Sequence, residues 1–136
     1  MSEKQHLVEM LEGHGIIPTR QRVDLAQILF AKPQHVSAEQ LMEAAWANGD
    51  HHVSKATVYN TLNLFVERGL IREIIADPTK SFYDSTTSVH GHFYNIDTGE
   101  LSDIPDTVNC QGLMDALPEG VTPVGIEIVV RVKNSR

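Results

Sequence analysis

One histidine pair, a shortage of thiols and an excess of carboxylates delimit the chemistry open to this chain. His90 and His92 stand two apart where residues 90–96 alternate in polarity as a strand does, and residues two apart on a strand leave from the same face. Two imidazoles on one face are ligand geometry, although such a pair also arises by chance on exposed strands. Cys110 is the only cysteine, so an intrachain disulfide is impossible and a structural zinc site of four cysteines is excluded. Any bound metal must therefore rest on histidine and carboxylate. With no resolving partner and no basic neighbour, Cys110 reads as a small buried residue rather than a redox sensor. His51 and His52, just before the fourth helix, read as surface histidines, with a phosphate contact as the alternative, and His6 and His14 carry no assigned role.

A second set of residues suits nucleic acid. The spacing predicts a helix over residues 54–68 that presents Lys55, Thr57, Tyr59, Asn60 and Asn63 from its first turns, the part of a helix that reaches base edges in a major groove. Asparagine can bond adenine in bidentate fashion, and the Thr57 methyl and Tyr59 ring can pack on a thymine methyl. Helical spacing also puts Tyr59 beside the buried stripe, so core packing competes with that role. Arg20 and Arg22 follow Thr19 in a first helical turn, where they can reach phosphates or a minor groove or simply be solvated. The net charge of -7 opposes indiscriminate DNA binding. Its distribution weakens that objection: residues 1–75 hold seven Lys/Arg against nine Asp/Glu, and residues 76–136 hold four against nine. The net negative charge is concentrated in the second half.

The elements that must position these groups are legible from caps and periodicity. Residues 3–12 carry Leu7, Val8, Met10 and Leu11 on one side and stop at Gly13-His14-Gly15. Thr19 caps a helix through Val23, Leu25, Ala26 and Leu29; Ser37 and Gln40 have capping-box spacing before Leu41, Met42, Ala45 and Trp46. Ser54 caps the fourth helix, whose stripe is expected through Ala56, Tyr59, Leu62, Phe65 and Val66. A strand over 70–75, a turn at 77–80 and a return over 81–83 complete a winged helix-turn-helix pattern, expected over residues 1–84. Residues 85–136 hold strands over 90–96 and 100–104, a short helix over 111–117 and a β-branched strand over 124–132. The fold class expected is α+β. So small a second domain has too little core to stand alone, which points to a homodimer formed through it. The first residues lack the basic start and apolar run of a signal peptide, and no segment approaches the roughly 20 apolar residues of a membrane span, so a cytoplasmic protein with no membrane partner is expected.

Several short runs then resemble one family in order and spacing: Gly15, Thr19 and Arg22; His35-Val36-Ser37-Ala38-Glu39; Ala56-Thr57-Val58-Tyr59; Gly69-Leu70-Ile71; Tyr83-Asp84; and His90-Gly91-His92. Together they resemble the ferric uptake regulator family over residues 10–105. Asn95 and Thr98 stand where that family normally has a CxxC pair, and a second CxxC is absent near the end. Ile17 stands where the family often has a basic residue. Among branches the chain is most similar to the iron response regulators, through Pro18 to Val23, Thr57 to Leu62, Asp103-Ile104-Pro105 and the Val-rich final strand, although Ser88-Val89-His90-Gly91-His92 interrupts the longer histidine run usual there.

The resemblance implies a sequence-specific transcriptional regulator of iron or haem homeostasis, not an enzyme, binding a two-fold symmetric double-stranded DNA operator as a homodimer. It also implies one divalent metal per subunit at His35, Asp84, His90, His92 and Asp103, positions matching the regulatory site of the peroxide-sensing members. Mixed nitrogen and oxygen ligation suits Mn²⁺, Fe²⁺ or Zn²⁺. Haem, if bound, would take His90 or His92 as its axial ligand. Val89 and Gly91 stand where a second family metal site would need histidine and an acid, so that site is expected to be absent. A metal-dependent peroxide-sensing repressor uses the same ligands and is the nearest alternative. A metallo-hydrolase or a metal-dependent interaction module are alternatives of other classes.

Overall fold

The computed structural model describes residues 2–50, 52–86, 91–105, 111–124 and 126–135, and the chain forms two compact units, Met1–Thr87 and Ser88–Arg136. In the first, α1 (Glu3–Gly13) and α2 (Arg20–Leu29) precede a short strand β1 (His35–Val36), followed by α3 (Ala38–Ala47), α4 (Lys55–Glu67), β2 (Arg72–Asp77) and β3 (Lys80–Asp84). The caps fall where hydroxyl chemistry predicts. Thr19, Ser37 and Ser54 each accept a hydrogen bond from the backbone N–H three residues on, and the Gln40 side chain accepts in return from the Ser37 N–H, completing the capping box.

The helices close over one core in which Leu11, Leu25, Leu41, Leu62 and Phe65 are fully buried. The phase of α4 differs from expectation at one point. Its buried residues are Val58, Thr61, Leu62 and Phe65, and Ala56 is exposed, because the large side chains set the inward face and a methyl group has little weight in choosing it. β3 is central in a three-stranded sheet of order β1-β3-β2, antiparallel on both sides. The Asp77 carboxylate accepts from the N–H and hydroxyl of Thr79 and closes the β2–β3 turn. Helices followed by this hairpin make a winged helix-turn-helix.

The second unit holds β4 (His92–Asn95), β5 (Leu101–Asp103), α5 (Gln111–Asp115) and β6 (Val129–Val132), with strand order β5-β4-β6. β4 and β5 form an antiparallel hairpin, whereas β4 and β6 are parallel and need the crossover in which α5 lies. At the hairpin turn the Asn95 side-chain oxygen accepts from the N–H groups of Asp97 and Thr98, and Gly99 takes the left-handed conformation, φ 75°. The Asn95 amide also donates to Asn134 Oδ1 at 2.9 Å, and the Asn134 N–H donates to Asp97 Oδ2 at 2.9 Å. This polar clasp ties the turn to the segment after β6.

The final strand is shorter than the β-branched run implied. Residues 124–132 are expected as one strand, but among the described residues only Val129–Val132 joins the ladder, because its partner β4 offers four residues to pair with. Val124 is fully exposed, and Ile96, Val121 and Val130 are also largely open to solvent. The architecture is α+β, and no described helix is long and apolar enough to cross a membrane.

Candidate metal centre and nucleic-acid interface

Each unit builds one imidazole–carboxylate pair by the same device. Antiparallel register puts His35 directly opposite Asp84 across β1 and β3, and His92 directly opposite Asp103 across β4 and β5. Directly opposed residues have Cβ atoms about 4.5–5.5 Å apart, which lets their side chains converge. In both pairs the histidine Nε2 lies 3.4 Å from a carboxylate oxygen. That is longer than a good N–H···O hydrogen bond of about 2.7–3.2 Å. It fits two donors on one cation: ligands about 2.1 Å from a tetrahedral metal are about 3.4 Å apart. Imidazole nitrogen with carboxylate oxygen is also a donor set that Mn²⁺, Fe²⁺ and Zn²⁺ accept. The candidate donors among the described residues are thus His35 and Asp84 in the first unit and His92 and Asp103 in the second. His90, the fifth expected ligand, lies outside the described residues, as do Val89, Cys110 and His51.

The pairs differ in burial. The Asp84 side chain is 2% exposed and its Oδ1 accepts from the Thr86 N–H at 2.8 Å, so its second oxygen faces His35 from a fixed position. A buried carboxylate held so needs compensating partners. In the second pair the imidazole of His92 is fully buried and Asp103 is 59% exposed.

On α4 the expected DNA-reading residues fall on two sides. Lys55 and Asn60 are exposed, and Thr57 is half-buried with its hydroxyl accepting from Ser54. Tyr59 is half-buried against the core, and its phenol donates to the Glu39 carboxylate at 2.9 Å. That bond raises the phenol's pKa. Glu39 is correspondingly held below the usual carboxylate range, first by its own backbone N–H and then by the Tyr59 hydroxyl. Arg20 is exposed, 3.9 Å from Asp24, whereas Arg22 donates to the Ile17 carbonyl at 2.9 Å and so braces the loop before α2. Ile17 itself is exposed.

The sequence profile of the ferric uptake regulator family matches residues 14–128. The chain belongs to this family. Ferric uptake regulators are metal-responsive DNA-binding transcription factors, not enzymes, which sets aside the metallo-hydrolase alternative. The peroxide operon regulator of Bacillus subtilis is 31% identical over 101 residues, covering 74% of this chain and 69% of that protein. The structure of the ferric uptake regulator from Pseudomonas aeruginosa with manganese is 26% identical, covers 100% of both chains and superposes with a TM-score of 0.71. That from Vibrio cholerae is 25% identical, covers 93% of this chain and 98% of its own, and has a TM-score of 0.77.

Two residues of this family member make contacts that the sequence does not signal. Glu39 figures in the sequence only as part of the run His35–Glu39 that resembles the family, with no role of its own, yet it meets Tyr59 across 20 positions of sequence. Arg68, the C-cap of α4, donates to the Gly15 carbonyl and ties the end of that helix to the loop after α1. No local pattern signals either contact, since both arise only when the helices pack.

Proposed function

We propose that this protein is a homodimeric, metal-gated transcriptional regulator in which one divalent cation is held jointly by His35, Asp84, His90, His92 and Asp103. The observation that carries this reading is the duplicated half-site: each unit offers an imidazole and a carboxylate from opposed strands at the same 3.4 Å separation. Neither pair alone completes a four-coordinate site. The cation would supply bonds shared by the two units, so that its presence biases which arrangement of the DNA-binding unit is populated. Exposed Val124, Val130 and Ile96 supply apolar surface for dimerisation of the second unit, and a dimer would present two α4 helices to a two-fold symmetric operator. Arg20, Arg22, Lys55, Thr57, Tyr59 and Asn60 are the proposed DNA-binding residues.

The test is metal stoichiometry. One Mn²⁺ per chain, lost equally in His35→Ala and in His92→Ala, supports a shared site; two equivalents, each abolished by only one of the substitutions, would mean separate sites. Sedimentation of the full chain at micromolar concentration checks the dimer, and a monomer there contradicts it.

The effector divides two finer readings. Iron or haem control rests on the likeness to the iron response branch. Haem would take His90 or His92 as its axial ligand, and the full burial of His92 restricts the approach of a porphyrin to that imidazole. A peroxide-sensing repressor is favoured by the similarity to the peroxide operon regulator. Haem absorbance that disappears in His90→Ala supports the first. Oxygen added to a ligand histidine after peroxide treatment of the Fe²⁺-loaded protein supports the second.

A further inference from the structure

Glu39 is an acidic side chain on the face that ought to attract phosphate. It lies in the first turn of α3. From there it meets two of the residues expected to face DNA. It accepts from the Tyr59 hydroxyl at 2.9 Å and lies 3.8 Å from the Lys55 ammonium, which in turn sits 5.9 Å from the centre of the Tyr59 ring. Lys55 and Tyr59 are one helical turn apart on α4, so a single carboxylate fixes both. Glu39 and Tyr59 also border a cleft of about 370 Å³ between α4, the start of α3 and the wing turn at Pro78–Thr79, with Glu73 as a second acid and Lys80 beside it.

We propose that Glu39 is a specificity-determining residue of the DNA-reading surface, positioning the Tyr59 phenol and holding the Lys55 ammonium away from phosphate. The two effects separate physically. Occupying Lys55 removes one cation from the counterion exchange that drives sequence-independent binding, so the protein gives up general affinity. Anchoring the phenol fixes the ring where a base edge or thymine methyl must fit, so a wrong base meets a surface that cannot yield. This inference rests on the reading that α4 enters the major groove.

The experiment uses the full-length, Mn²⁺-loaded protein and a duplex pool with a randomised centre, from which wild type selects its site; the selected duplex and a scrambled duplex of equal composition are then titrated across salt. Glu39→Gln keeps an oxygen for the phenol but frees Lys55. Both duplexes should bind more tightly, with a salt exponent steeper by about 0.9, so that the affinity lost between 50 and 200 mM salt grows about 3.5-fold while the selected-to-scrambled ratio holds. In a Lys55→Ala background the Glu39→Gln effect should vanish. Glu39→Ala also releases the phenol and should lower the ratio about tenfold, as should Tyr59→Phe. An unchanged salt exponent in Glu39→Gln, an effect that persists without Lys55, or a full ratio in Glu39→Ala overturns the role of Glu39. If wild type selects no sequence from the pool, it is the DNA-reading assignment of α4 that fails.

Discussion

Asp84→Asn tests the metal centre at its buried carboxylate. The substitution is isosteric and retains an oxygen for the Thr86 N–H, so the β1–β3 pairing should persist and the metal-free protein should melt close to wild type. What it removes is the charge facing His35. Unfolding 136 residues carries an entropy of about 0.29 kcal/mol/K at roughly 2.1 cal/mol/K per residue. Free Mn²⁺ at about 100 times its Kd stabilises the fold by about 2.7 kcal/mol, which raises Tm by about 9 °C. Loss of a ligand costs at least the roughly 100-fold known for strong outer-shell changes. At the same Mn²⁺ concentration the variant then retains about 0.4 kcal/mol, a rise of only about 1.4 °C. Thermal melts followed by circular dichroism, with and without Mn²⁺, measure both values. A full wild-type rise in Asp84→Asn would show that the carboxylate does not bind the cation.

Three further outcomes follow from the first unit. Burial pushes the Tyr83 phenol up to about 12, above the ordinary 10.0, so the neutral phenol contributes stability that is complete below pH 10 and is lost as pH rises towards 12. Stability of wild type measured by urea should fall over that window by up to about 3 kcal/mol more than that of Tyr83→Phe, and parallel pH curves would contradict this. Ser37→Ala removes the cap of α3 and should cost about 1 kcal/mol, or about 3 °C in Tm; no loss by urea denaturation would mean the capping box is not stabilising. Gly15→Ala should cost about 1–2 kcal/mol, because φ is +73° and the added methyl would come within 2.7 Å of Arg68 Nη1; a melt unchanged from wild type would count against that brace.

Local chemistry made the helices of the first unit readable. Thr19, Ser37 and Ser54 announce their helix starts, because a capping hydroxyl acts over three residues of its own chain. Ala56 misleads for the complementary reason: at helical spacing a methyl group is compatible with either face. β1 has no periodicity of its own and exists only as the partner of β3, so the opposition of His35 and Asp84 could be inferred from family likeness but not from pattern. The pairing of the β4 and β5 segments was legible from their alternation and the turn between them. The register that sets His92 against Asp103 depends on how Asn95 and Gly99 shape that turn. Composition overstates the last strand, because β-branched residues measure willingness to pair, while the length of β4 sets how much can pair.

The clasp of Asn95, Asp97 and Asn134 has a consequence for what the regulator can notice. In a relative with CxxC at this turn, thiols that hold zinc are also targets of oxidants and electrophiles, so the scaffold itself is a second, destructive channel of input. Here amide and carboxylate groups do the tying, and they have no thiol chemistry. Mild disulfide-forming oxidants should leave the second unit folded, and a chelator should withdraw only the metal that reports to DNA. The protein would then return to its starting state as soon as metal is restored, with no zinc-holding thiols to re-reduce: a sensor whose loss of signal is separate from damage to itself.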